Sequence, residues 1–233
     1  MSAILFGSIG TVADTSELQR RAFNEAFSKH GLDWVWQKDE YIALLEKSGG
    51  HQRIQDYAEI KGQSVNATAI HRDKSAIFQQ TLEKEGIEPR AGVVEVVQQA
   101  KQSGMKLALV TTTSEENVSS MLKALENTLA ADCFDLVLNR AHVKAGKPDE
   151  EAYLLAMKKL EQPPNSCVAI EDNLGGITSA KSAGLTCVAF PNSNTAHHDF
   201  SKADMQVSAL EFEQLQTLIP NKRTHPTAAV RLH

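Results

Sequence analysis

From Pro89 onward the chain alternates short apolar runs with segments of helical period, and this alternation restricts the fold more than any other feature. Leu107-Ala108-Leu109-Val110 follows a helical segment carrying Val93, Val94 and Val97. Phe134-Asp135-Leu136-Val137-Leu138 follows Glu115–Leu125, Cys167-Val168-Ala169-Ile170 follows Glu150–Leu160, and Cys187-Val188-Ala189-Phe190 follows Ile177–Ala183. Strands joined by helices of this length pair in parallel, with helices covering the sheet. One further run, Ala3–Phe6, stands alone at the N-terminus and is expected to rejoin the same sheet. The predicted fold class is therefore α/β, a Rossmann-like parallel sheet core with an inserted all-helical cap domain after the first strand. The core takes residues 1–14 and 90–219, and the cap takes 15–89. Residues 220–233 show no periodicity and read as a C-terminal tail.

Inside the predicted cap, Leu18, Ala22, Phe23 and Phe27 recur at helical spacing, and His30-Gly31 carries a stop signal. Asp14, with Glu17 three residues later, reads as the cap of that helix. Gly49-Gly50 and Lys61-Gly62 divide the remainder into further helices. Trp34 and Trp36 are expected to pack the cap rather than face a ligand.

Bulk properties exclude several classes of function. A net charge of −5 lacks the basic excess of a nucleic-acid binder. No apolar run reaches the length of a membrane span, and the N-terminus lacks the pattern of a secretory leader. Cys133, Cys167 and Cys187 form no C-x-x-C pair and read as reduced core residues of a cytoplasmic protein.

The strand ends carry the chemistry. The first strand runs into the turn Gly7-Ser8-Ile9-Gly10-Thr11, and ligands of open α/β sheets bind beyond the carboxyl ends of the strands. The second strand ends in Thr111-Thr112-Thr113-Ser114. Lys147 follows the third, and Glu171-Asp172-Asn173 closes the fourth. Hydroxyls and a lysine suit phosphate oxygens, while Glu171 and Asp172 offer the oxygen ligands that magnesium prefers. Taken singly, the threonine cluster can instead cap a helix, and the acidic pair can complement a helix N-terminus. His197-His198-Asp199 has metal-ligand residue types, yet adjacent positions cannot easily share one ion, so it reads as a solvated loop.

The ordered set of motifs resembles the haloacid dehalogenase superfamily of phosphohydrolases, and within it the CbbY-like members near β-phosphoglucomutase. The match covers Ala22–Phe27 with Gly31-Leu32-Asp33-Trp34, then Gly49-Gly50-His51-Gln52-Arg53-Ile54, His71 with Lys74, and Arg90–Val93. It continues through Leu107–Thr113, Gly146-Lys147-Pro148 and Glu171-Asp172-Asn173 with Gly176. The resemblance implies an aspartate nucleophile ending strand one, an aspartate acid/base two residues later, and a sugar phosphate as ligand. It also implies Mg2+ held by the nucleophile, the Ile9 backbone carbonyl, and Asp172 with Glu171. Thr111, Thr112 and Lys147 would bind phosphate, and Arg53 and Lys74 of the cap would contact the substrate, their alternative being surface salt bridges.

This chain departs from the pattern at its reactive centre. Gly7 stands at the nucleophile position and Ile9 at the acid/base position. Gln19 replaces a usual histidine, and His51 a usual lysine. Losing a covalent nucleophile costs on the order of a millionfold in rate. Ser8 is a conceivable substitute, but in an extended segment its side chain would point away from its neighbours' face. Asp14 has suitable chemistry but is expected to serve the helix. Three functions follow: a pseudo-phosphatase that binds a phosphorylated metabolite at a weakened magnesium site, a hydrolase using another residue, or a protein-interaction module.

Overall fold

The structure, a computed structural model, describes residues 1–45 and 49–219; the predicted tail, 220–233, lies outside the described residues. Strand β1 (Ala3–Phe6) leads into a one-turn helix α1 (Ile9–Val12), followed by four helices: α2 (Ser16–Lys29), α3 (Lys38–Leu44), α4 (Gly50–Lys61) and α5 (Ala67–Glu85). The chain continues through α6 (Val93–Gln102), β2 (Lys106–Val110), α7 (Glu115–Ala124), β3 (Leu136–Leu138) and α8 (Glu151–Leu160). It ends with β4 (Cys167–Glu171), α9 (Leu174–Ser182), β5 (Thr186–Ala189), β6 (Met205–Gln206) and α10 (Phe212–Thr217).

The six strands form one sheet in the order β3-β2-β1-β4-β5-β6, every neighbour parallel. The N-terminal strand does rejoin the later ones, and in the middle: Phe6 lies opposite Leu109 of β2 and Ile170 of β4. Strand order reverses at β1, which places the mouth of the crevice at the ends of β1, β2 and β4. Successive residues serve opposite faces, as the pleat requires. Ile4, Phe6, Leu109, Val168 and Ile170 pack with α6, α10 and the inserted helices. Ala3, Leu5, Val110 and Ala169 face α8 and α9. Both faces are buried, which explains why these runs lack polar alternation.

The inserted helices pack mainly on one another, α2 and α4 against α5, while α5 also lies along α7. Trp36 is fully buried at their centre, with ring centroids 4.8 Å from Phe23, 4.7 Å from Phe27 and 5.4 Å from Tyr57. Asn24 and Arg20 donate to its carbonyl, fixing the segment between α2 and α3. Both tryptophans serve packing. The two connections to the sheet meet where Arg90 N–H donates to Val12 O, 2.8 Å, and the Arg90 guanidinium donates to the carbonyls of Gly10, Phe190 and Pro191.

Local details differ from the sequence reading. Helix α2 begins after Thr15, and Asp14 instead accepts from Ser16 N–H. The cap signal belongs one helix earlier: Ser8 caps α1, its hydroxyl accepting from Thr11 N–H while the Thr11 side chain answers the Ser8 backbone. Strand β6, two residues long, is too short to show a period. Among the described residues no helix is long and apolar enough to cross a membrane.

Candidate functional site

A cavity of about 540 Å³ opens between the strand ends and the inserted helices. Ser8, Ile9 and Gly10 of the first turn line it from one side, and Thr111, Thr112 and Thr113 after β2 from another, with Asp172 after β4. Arg53 of α4 and Lys74 of α5 line the opposite wall. Six of the residues singled out in the sequence thus converge: Ile9, Arg53, Lys74, Thr111, Thr112 and Asp172. Gly7, Lys147 and Glu171 do not line the cavity.

Those three lie beneath its floor. Glu171 is the last residue of β4, so its side chain follows Ala169 toward α8, opposite to Ile170. It is fully buried. Its Oε1 accepts from Lys147 Nζ at 2.6 Å and from Tyr153 Oη at 2.6 Å. Lys147 Nζ also donates to Val110 O at 2.7 Å and to the Gly7 carbonyl. The ammonium is enclosed by these partners, its side chain 7% exposed, and none of its donors remains for a ligand. Burial holds the Glu171 carboxyl above its ordinary value despite the ammonium beside it, and burial with the adjacent carboxylate pushes the Tyr153 phenol up.

Two glycines make room for this group. A Cβ at position 7 would lie 2.1 Å from Glu171 Oε1 and 2.3 Å from Tyr153 Oη. A Cβ at position 176 would lie 2.0 Å from Glu171 Oε2. The volume that a side chain at position 7 would need is filled by the Glu171 carboxylate and the Tyr153 hydroxyl.

Asp172 turns the other way, into the cavity, 7% exposed. Its Oδ1 accepts from Ser8 Oγ at 2.8 Å and Asn173 Nδ2 at 2.9 Å, and its Oδ2 from Asn192 Nδ2 at 3.4 Å. The Ser8 contact was not foreseen. The extended segment ends at Ser8, where the cap of α1 redirects the chain and brings the hydroxyl to the cavity. Sequence gave a signal for this, since Ser8 and Thr11 have cap spacing. Tyr153 gave none, because at helical spacing on α8 it reads as core.

The cavity favours an anion. Arg53, Lys74 and Arg140 line it, whereas Asp172 is the one carboxylate among its described lining residues. Neither Arg53 nor Lys74 takes the surface position that was their alternative, being 9% and 5% exposed. Arg53 donates to Leu44 O at 2.8 Å and stands over the Tyr41 ring. Lys74 lies against the rings of Phe23 and Phe78 and donates to Gln19 Oε1, and no carboxylate pairs with it among the described residues. Burial, with Arg53 nearby, brings the Lys74 ammonium down to about 7. His71 is brought down to about 4 by burial and by Lys74, and is neutral near pH 7.

Magnesium, implied by the resemblance, is poorly served by this donor set. Both Asp172 oxygens already accept hydrogen bonds from Ser8, Asn173 and Asn192. Glu171 is sealed against Lys147, and the Ile9 carbonyl accepts from Ala13 N–H at 2.9 Å. No group of three or more acidic, imidazole or thiol side chains suited to a metal ion occurs among the described residues, the His197-His198-Asp199 run included.

Comparison with known proteins locates the fold. Residues 4–190 match the haloacid dehalogenase-like hydrolase family. Protein CbbY of Cereibacter sphaeroides is 38% identical over 231 residues, spanning 98% of this chain and 100% of that protein. The crystal structure of CbbY from Rhodobacter sphaeroides in complex with phosphate superposes with a TM-score of 0.82 at 37% identity, covering 90% of this chain and 94% of that one. A substituted form of that protein, solved with xylulose-(1,5)bisphosphate, superposes with the same score, identity and coverage.

Proposed function

Because this chain belongs to the haloacid dehalogenase-like hydrolase family, with CbbY proteins among its relatives, we propose that it holds a phosphorylated sugar in this cavity without hydrolysing it in repeated turnover. Residues 15–89 act as the cap over the core of 1–14 and 90–219. The observation that carries the reading is the filled position 7: the family's attacking carboxylate is absent, and a buried carboxylate and phenol occupy its space. Ile9 can neither donate nor accept the proton that ester cleavage requires. The family generally uses Mg2+, and the residues here fit that ion poorly.

The phosphate is held by this chain's own groups. Lys74 and Arg53 supply charge from the cap wall, and the Thr111 and Thr112 side chains supply hydroxyls at the end of β2. Lys147, by contrast, serves the floor. Removing the two family carboxylates lowers the negative charge that would oppose a phosphate dianion, so binding survives the loss of chemistry. Three buried free cysteines fit a reducing, cytoplasmic setting.

Calorimetric titration with pentose and hexose mono- and bisphosphates tests the reading. Binding of at least one, with no phosphate released over many equivalents, is the expected result. Absence of binding across the series removes the binding function, and multiple-turnover phosphate release removes the pseudoenzyme. Lys74→Met is expected to weaken binding by roughly 10- to 100-fold, the worth of a charge-assisted hydrogen bond.

Binding should also depend on pH with a definite sign. Lys74 is mostly charged at pH 6 and mostly neutral at pH 8, and a bound dianion raises its proton affinity. Binding then takes up a proton, and affinity falls by up to about tenfold per pH unit as pH rises above 7. Below about pH 6 the phosphate itself protonates and affinity falls again. Titrations from pH 5 to 9 would show a maximum near 6 to 7 in the native protein and no decline above 7 in Lys74→Met.

A further inference from the structure

Ser8 and Asp172 form a pair that the binding role does not use. Ser8 lines the cavity, and its Oγ donates to Asp172 Oδ1 at 2.8 Å. The carboxylate is held in turn by Asn173 Nδ2 at 2.9 Å and Asn192 Nδ2 at 3.4 Å, the latter on the loop beyond β5. A hydroxyl within hydrogen-bond reach of a base that is itself oriented by further groups is the arrangement by which serine becomes a nucleophile. Thr11 N–H, donating to Ser8 Oγ at 3.1 Å, fixes the hydroxyl's direction and leaves its second lone pair unengaged. The opposite wall bears Lys74 and Arg53, and no other carboxylate among the described lining residues repels an approaching phosphoryl group.

The geometry points to Ser8 as a phosphoryl acceptor: this chain transfers one phosphoryl group from a sugar phosphate or an acyl phosphate to Ser8 Oγ, once per molecule. The Ser8 Oγ–P bond forms as the P–O bond to the leaving group breaks. The electron pair of that bond stays on the leaving oxygen. Asp172 takes the proton from Ser8 and passes it to the departing alkoxide; with an acyl phosphate the group leaves as a carboxylate and Asp172 releases the proton to solvent. The product is a phosphate monoester of serine, far less labile than the mixed anhydride an aspartate forms, and Ile9 offers no group to activate water against it. The reaction therefore stops after one event and marks the protein. The inference rests on the cavity binding phosphate, as proposed above.

The test incubates the full chain, with EDTA present, with acetyl phosphate or with a hexose 1-phosphate, and follows intact mass and peptide mass spectra. Calorimetry with the same hexose 1-phosphate runs in parallel. A gain of one phosphate located on Ser8 is expected, absent in Ser8→Ala and in Ser8→Asn, which keeps a cap acceptor but no nucleophile. Asp172→Asn is expected to slow modification at least tenfold while hexose phosphate binding persists. Binding without modification overturns the acceptor role and leaves the binding function intact. Absence of both removes the phosphate cavity itself. Modification elsewhere, or equal modification in Ser8→Asn, also overturns the proposal.

Discussion

A single methyl group added at position 7, Gly7→Ala, is expected to lower the unfolding free energy by about 2–4 kcal/mol, seen as a lower urea midpoint at unchanged slope. The new carbon would lie 2.1 Å from Glu171 Oε1 and 2.3 Å from Tyr153 Oη. Neither neighbour can retreat cheaply. Tyr153 is fully buried in the core between the sheet and α8 and α9, and the far oxygen of Glu171 already lies against Gly176. Relief requires the carboxylate to leave Lys147 or the β1 turn to move, and either breaks buried polar contacts. Gly146→Ala is the control, since its added carbon meets nothing closer than 3.8 Å. In a Glu171→Ala background the cost of Gly7→Ala should shrink, because contacting residues do not add independently. A loss below about 0.5 kcal/mol would mean that Glu171 is not seated in this niche. The same packing predicts that Gly7→Asp with Ile9→Asp, the obvious restoration of the family motif, is unstable and inactive until position 171 is also relieved.

Lys147→Met is expected to cost about 3–5 kcal/mol at pH 7, the toll of leaving a buried charge without its partner. Lys147 is the only cation hydrogen-bonded to Glu171 among the described residues, and it also satisfies the Val110 and Gly7 carbonyls. The sign of the pH dependence is fixed by Glu171, whose folded-state proton affinity is raised already and rises further without the ammonium. Between the unfolded and folded values the native state binds more protons than the unfolded one, so stability falls as pH rises through that window. The deficit of Lys147→Met should therefore diminish as the pH is lowered from 7 toward 5. Lys147→Met with Glu171→Gln should cost less than Lys147→Met alone, since no charge is then stranded. If the single variant unfolds at the native midpoint, Lys147 is not part of the floor.

The sheet was legible because its strands are buried on both faces and so appear as uninterrupted apolar runs, as in Cys167–Ile170. Helix boundaries were legible where glycine takes a left-handed turn, as at Gly62, φ 63°. The start of α2 was misplaced because Asp14 and Thr15 both suit a cap, and only the backbone decides between them. Thr111, Thr112 and Asp172 were read from their positions at strand ends, which converge in a parallel sheet, whereas Arg53 and Lys74, on inserted helices, came only with the family resemblance. What sequence left hidden was direction. Glu171 and Asp172 are adjacent and chemically alike, yet the pleat sends one below the floor and the other into the cavity. Two glycines distant in sequence, Gly7 and Gly176, create the space that receives Glu171. Such a niche has no linear signature.

The central place of β1 has a consequence for how the chain is made. Ala3 pairs with Lys106 on one side and with Cys167 on the other. Pairing of β1 on both sides therefore has to wait until β4, which follows β2 by a long stretch of chain, has been made. The helical region between them is rich in local contacts and can form meanwhile, whereas the sheet must pay the entropy of closing two long loops before its middle strand is secured. Until β4 arrives, Ile4, Leu5 and Phe6 keep one edge unpaired, an apolar edge open to association with other chains.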